Sequence, residues 1–216
     1  MGSGDHKTGA RLSPHVGTQR CVRMAGPRPP TVAARFDRPM KPRRHRRALP
    51  LAQLVERATC VADEVRAELH SVHADPDERW HVRLHHDDDV DVWLISWTQE
   101  QGTQLHGHGG SSGAFTVVSG ELEETVWDPA VREADGATRS RGDVVAFGPG
   151  YVHDVRNVLP GTAVSVHVYS PPLERMDFFD VEPDGAGAAR LVRLAHVWTD
   201  DPEIEAPARD ARQAAS

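Results

Sequence analysis

Leu51, Leu54, Val55, Ala58, Val61, Ala62, Val65 and Leu69 recur at intervals of three and four. That spacing lays an apolar stripe along one face of an α-helix and predicts a docking helix, or two short ones, from 51 to about 72. Cys60 lies beside the stripe, where it is expected to pack as a small hydrophobe. From Trp80 the period shortens to two. β-rich runs are predicted at about 80–86, 90–98, 104–106, 113–118, 121–127, 143–147, 152–157, 162–169 and 190–198. Gly, Pro, Asp or Asn punctuates most gaps, with Asp87-Asp88-Asp89 read as a hairpin turn and 180–189 as a loop. Many short strands with regular turns mean an antiparallel sandwich or barrel, so the fold is expected to be mainly β with a leading helix.

Charge divides the chain. Its formal net charge of -7 conceals 12 Lys/Arg against 2 Asp/Glu in residues 1–50 and 13 against 30 in residues 51–216. The basic part holds seven prolines and no apolar periodicity. It is expected to be a disordered tail, or an over-extended start with the true start at Met24 or Met40. Its run Lys41–Arg47 is a second-choice contact for phosphates or an anionic surface. The acidic body is a poor binder of nucleic acid. Domains are therefore expected at 1–50 (tail), 51–198 (body) and 199–216 (polar tail). No stretch approaches the ~20 apolar residues of a membrane span, and no signal peptide is visible. Two cysteines, Cys21 and Cys60, give neither a disulfide framework nor a Zn-type spacing. The expectation is a cytoplasmic monomer with reduced thiols.

Most of the 13 histidines stand without a motif. His85 and His86 are adjacent in a strand, so they face opposite ways and cannot converge on one ion. His106 and His108 are two apart in Gly102-Thr-Gln-Leu-His-Gly-His-Gly-Gly, so both imidazoles share a face and can meet one metal. A second segment, Gly142 to Asn157, places His153 just after the Pro149-Gly150 turn. Gly…His-x-His…Gly followed by Gly…Pro-Gly-x-x-His-x-x-x-Asn resembles the two-part signature of the cupin barrel. The resemblance implies that three histidines converge inside a double-stranded β-barrel. Cupins usually add a Glu five or six residues after His-x-His, but Gly113 and Ala114 stand there, and Glu121, Glu123 and Glu124 come only after the Ser119-Gly120 turn. The expected site is three neutral imidazoles with no carboxylate. Three facial ligands leave open positions for a chelating substrate and O2.

Ser165, His167 and Tyr169 alternate with Val164, Val166 and Val168, so the polar three share one strand face. Buried, such a row costs free energy unless its members bond one another, which marks it as functional; otherwise it is a polar stripe facing solvent. With Ser170-Pro171-Pro172, both His motifs and Arg83, the row resembles the cysteine dioxygenase family over roughly residues 51–198. That resemblance implies Fe(II) on His106, His108 and His153, and Arg83 on the substrate carboxylate. It also implies Tyr169 at the active site, with His167 and Ser165 supporting it. The implied reaction adds both atoms of O2 to the sulfur of free L-cysteine. Two departures stand out: Gly113 occupies the place of the cysteine that some relatives crosslink to the tyrosine, and His81 replaces an aromatic hydroxyl. The alternatives are another small thiol such as 3-mercaptopropionate, a non-oxidative cupin enzyme on Zn or Mn, and a metal-free binding cupin.

Overall fold

The computed structural model describes residues 48–185 and 187–199. Nearly all of the expected basic tail, and the polar tail beyond Thr199, lie outside the described residues. Leu49 is partly buried against the core, and its N–H donates to Ser170 Oγ at 2.9 Å.

Helix α1 spans Leu51–Arg66. Leu54, Ala58, Val61, Ala62 and Val65 are its buried residues, which is the face the stripe marks out. The helix stops six residues before the expected 72. Glu68 adopts a left-handed φ of 59°, its N–H donates to the Val65 carbonyl, and the Leu69 N–H donates to the Glu64 carbonyl. This is a Schellman stop closed by Glu where glycine is usual, so the sequence carries no obvious stop signal. Leu69 is left 59% exposed. Cys60 is half-buried beside that face.

Eleven strands follow among the described residues: β1 His81–His86, β2 Asp91–Trp97, β3 His106–Gly107, β4 Ser112–Ser119, β5 Glu121–Asp128, β6 Glu133–Ser140, β7 Val144–Phe147, β8 Val152–Arg156, β9 Ala163–Ser170, β10 Arg175–Pro183 and β11 Ala189–Thr199. They form two antiparallel sheets, ordered β1-β2-β9-β4-β7 and β11-β10-β3-β8-β5-β6. This is the expected double-stranded β-barrel of cupin type with a leading helix. The Asp87–Asp89 turn forms as read, with Asp87 Oδ1 accepting the N–H groups of Asp89 and Val90.

Two strands escape the sequence reading. β6 (Glu-Ala-Asp-Gly-Ala-Thr-Arg-Ser) has no apolar alternation and is exposed along most of its length; full-length pairing with β5 holds it at the sheet edge. β10 occupies part of the expected 180–189 loop, which shrinks to residues 184–188. Its backbone is fixed from both sides, by β11 and by β3.

The five-stranded sheet has an apolar face on each side. Outside, Val92, Leu94, Ala114, Val118, Val164, Val166 and Val168 pack on α1. Inside, Trp97, Val117 and Ala163 meet Leu122 and Val155 of the other sheet. Leu54 is fully buried under the helix, so Leu54→Ala is expected to cost about 2–5 kcal/mol in urea denaturation. Leu51→Ala, at a 40% exposed site, should cost well under about 1 kcal/mol.

Candidate metal centre

Register brings the three histidines together. His106 on β3 lies directly opposite His153 on β8, so both rings leave the sheet on the same, inner face. His108, two residues on, joins them. Ring centroids are 4.8–5.1 Å apart pairwise, and the donor atoms all lie within 4.8 Å of one another. All three side chains are buried. Burial holds His106 and His108 well below the usual imidazole range, and the neighbouring histidines push the same way. The rings are therefore neutral and offer lone pairs.

The hydrogen bonds say which nitrogens remain. His106 Nδ1 lies 2.8 Å from the Gln104 carbonyl, which can only accept, so Nδ1 carries the proton and Nε2 the lone pair. His153 Nδ1 lies 2.7 Å from Glu124 Oε1, with the same outcome. Both ring nitrogens of His108 are buried without a hydrogen bond of normal geometry, although the Tyr151 backbone lies close enough to favour a proton on the ring. An orphaned buried imidazole beside two others that present free Nε2 atoms suits a divalent ion with a preference for nitrogen ligands.

The expectation of no carboxylate at this site needs amending. None belongs to the clustered set among the described residues, but Glu124 is completely buried one hydrogen bond behind His153. Arg139 Nε donates to its Oε2 at 2.7 Å, and the Tyr151 hydroxyl donates to Oε1 at 2.9 Å. Burial alone would raise its pKa, but its bonds to His153, Arg139 and Tyr151 outweigh that and hold it ionised, below the usual carboxylate range. The β4–β5 hairpin folds Glu124 back: Leu122, Glu124 and Val126 alternate inward, and Val126 lies opposite His153. That alternation was the available signal.

Across the barrel, β9 turns Ser165, His167 and Tyr169 inward, all buried. The cross-strand partner of His167 is Phe115 on one side and Trp93 on the other. Tyr169 lies 5.1 Å from His108, ring to ring. Trp97, absent from the sequence-based site, anchors the row. Its indole N–H, a donor only, bonds Ser165 Oγ at 2.8 Å. Ser165 Oγ shares a hydrogen bond with His167 Nε2 at 2.9 Å, and His167 Nδ1 shares one with the Tyr169 hydroxyl at 3.4 Å. Burial raises the Tyr169 pKa above its ordinary value, so the phenol stays protonated. Burial, then the charges of His153 and Arg79, lowers His167 to about 3.

Gly113 lies opposite Tyr169. A Cβ built there would come 2.4 Å from Phe147 Cζ and 3.0 Å from the Val168 carbonyl. Phe147, stacked on His108 and Tyr151, therefore fills the space a cysteine side chain would need. Arg83 also lies on the inner face, opposite Trp93, with its guanidinium carbon 4.4 Å from that ring's centroid. His85 and His86 bond different carboxylates, Asp87 and Asp91.

Two outcomes are expected. Glu124→Ala should weaken divalent-metal affinity about 10–100-fold in competitive chelator titrations, because His153 loses the acceptor that orients it; unchanged affinity would refute that role. His167, with a folded pKa of about 3, sits below the ordinary value of about 6.5. The unfolded chain thus binds a proton that the folded one refuses, and stability is complete above about pH 6.5 and lost as pH falls towards about 3. Between about pH 7.5 and about pH 5, the metal-free wild type should lose about 2 kcal/mol more than His167→Gln in urea melts.

Comparison with known proteins adds a family to this geometry. A family model described as cysteine dioxygenase type I matches residues 46–182. Cysteine dioxygenase type 1 of Danio rerio is 28% identical over 100 residues, covering 41% of this chain and 49% of that protein. The chain thus spans about half the length of that curated relative. Among solved structures, an uncharacterized conserved protein with a double-stranded β-helix domain from Klebsiella pneumoniae is 21% identical, with a TM-score of 0.41, over 56% of this chain and 90% of that one. A cupin superfamily protein from Desulfitobacterium hafniense is 15% identical, with a TM-score of 0.40, over 46% and 83%.

Proposed function

The chain belongs to the cysteine dioxygenase type I family, and from that premise we propose that it is a thiol dioxygenase. In this reading His106, His108 and His153 hold Fe(II), and free L-cysteine and O2 become cysteine sulfinic acid. One observation carries the reading: three buried imidazoles face a buried, hydrogen-bonded Ser165-His167-Tyr169 row across the barrel. A non-oxidative cupin enzyme has no evident use for that row.

Bound iron would supply a common site for thiol and O2, favour the thiolate at neutral pH, and make O2 reactive. The chain's own residues do the rest. Arg83 offers the substrate carboxylate a charged, forked donor. Tyr169, kept protonated by burial, donates its hydroxyl to the substrate from the face opposite the histidines. His167 and Ser165 hold that hydroxyl in place, and the Trp97 indole N–H anchors the row at Ser165. Phe115 and Phe147, beside the histidines, keep bulk water from the reacting sulfur. The reaction balances without a further reductant: two S–O bonds form as the O–O bond breaks, and the four electrons that sulfur loses are those O2 gains.

Iron-loaded protein is expected to consume one O2 per cysteine and to yield a product heavier by two oxygens in mass spectrometry. His106→Ala should lose iron and O2 uptake together, whereas Tyr169→Phe should lower kcat by about 10–100-fold with little change in KM. Iron-loaded wild type that takes up no O2 with any small thiol would refute the proposal.

A further inference from the structure

His106 and His153 are aimed by hydrogen bonds from Nδ1, but His108 is not. Its ring nitrogens are buried with no hydrogen bond of normal geometry, so packing sets the plane of its ring. The most nearly parallel ring beside it is Phe147, with centroids 4.8 Å apart and planes 27° apart. Phe147 is buried and is backed in turn by Tyr151, at 4.7 Å and 12°. Three rings thus stand in sequence, Tyr151 on Phe147 on His108. Stacking of this kind has a preferred geometry, so a tilt of one ring is resisted by the next.

The hydroxyl of Tyr151 reaches a different ligand. It donates to Glu124 Oε1 at 2.9 Å, and that same oxygen lies 2.7 Å from His153 Nδ1. The Tyr151 ring itself stands 5.0 Å from the His153 ring. The backbone of Tyr151 is held as well. Its N–H donates to the Gly148 carbonyl at 3.2 Å, closing a turn with Pro149 at the second position, which fixes where the side chain starts. Its carbonyl runs past Gly107, the residue between His106 and His108, where a Cβ would lie 3.7 Å from it. No other carboxylate takes the hydroxyl among the described residues, so the Tyr151 bond belongs wholly to the group behind His153.

We infer that Tyr151 is the positioning residue of the metal centre: its ring steadies His108 through Phe147, and its hydroxyl steadies His153 through Glu124. Two ligands from separate segments then hold one relative orientation before an ion arrives. This rests on His106, His108 and His153 being the metal ligands of the proposed function, and it is independent of which thiol reacts there. The competing role is a strut, in which Tyr151 only packs the Pro149-Gly150 turn.

Co(II) titrated into the metal-free full chain against a competing chelator, with the visible absorption of the bound ion recorded, separates the two roles. Tyr151→Phe keeps the stacked rings and loses only the hydroxyl, whereas Tyr151→Leu loses both. The first should weaken Co(II) binding about 3–10-fold and the second about 10–100-fold, with the ion's visible bands displaced further in the second. With Glu124→Ala already present, adding Tyr151→Phe should cost less than about twofold, because the hydroxyl acts through that carboxylate. If Tyr151→Leu does not fold, Tyr151→Phe and its combination with Glu124→Ala decide. Lower stability in urea with Co(II) affinity and bands unchanged overturns the assignment and leaves the strut. A Tyr151→Phe loss that is undiminished without Glu124 overturns it too. Wild type whose Co(II) binding is absent, or indifferent to His106→Ala, removes the site and this inference with it. The predicted Co(II) pattern, together with no O2 uptake by the iron-loaded wild type, sinks the dioxygenase reading and leaves Tyr151 in its role.

Discussion

Three imidazoles buried side by side are expensive unless something takes up their ring nitrogens. The barrel accepts that cost at one place, where the His106–His153 register and the two-residue step to His108 leave the rings no other direction to face. The surroundings are consistent with it. Burial keeps His106 and His108 neutral, carbonyl and carboxylate acceptors draw the Nδ1 protons of His106 and His153 away from the centre, and His108 is left with no hydrogen-bond partner of normal geometry. A protein with no use for a cation here gains nothing from that arrangement.

Charge is laid out in shells around this point. The clustered set contains no carboxylate among the described residues. The negative charge stands one hydrogen bond back on Glu124, compensated by Arg139 at 2.7 Å. Positive charge stands on Arg79, 4.9 Å over the Trp97 ring, and on Arg83, 4.4 Å over the Trp93 ring. An ion on the histidines would keep most of its charge, and an anionic substrate would be drawn between that ion and the guanidinium groups. The hydrogen-bonded row from Trp97 through Ser165 and His167 holds Tyr169 beside His108. Phe147 takes the volume above Gly113, so packing rather than a covalent bond confines Tyr169 here.

What the sequence made legible follows from periodicity. Alternation by two reveals His-x-His as a convergent pair and Ser-x-His-x-Tyr as one face, and the three-four stripe of α1 marks its buried side. Residues whose position depends on a partner strand were harder. Glu124 lay beyond a turn and looked remote until the β4–β5 hairpin folded it behind His153. Arg79 stands before the first apolar-patterned strand, and only the Trp80–Ser96 bond shows that the ladder already includes it. β6 contains nothing apolar to alternate, so its strand state comes wholly from β5. The helix stop at Glu68 is a left-handed residue of a type that rarely adopts that conformation, which no composition rule anticipates.

The most direct test is a crystal structure of the Fe(II)-loaded protein with L-cysteine, prepared without oxygen. The account predicts one iron bound by Nε2 of His106, Nε2 of His153 and one ring nitrogen of His108. The substrate's sulfur should be on the metal, and its carboxylate should be turned towards Arg83. Iron bound elsewhere, or cysteine with its carboxylate turned away from Arg83, would contradict it.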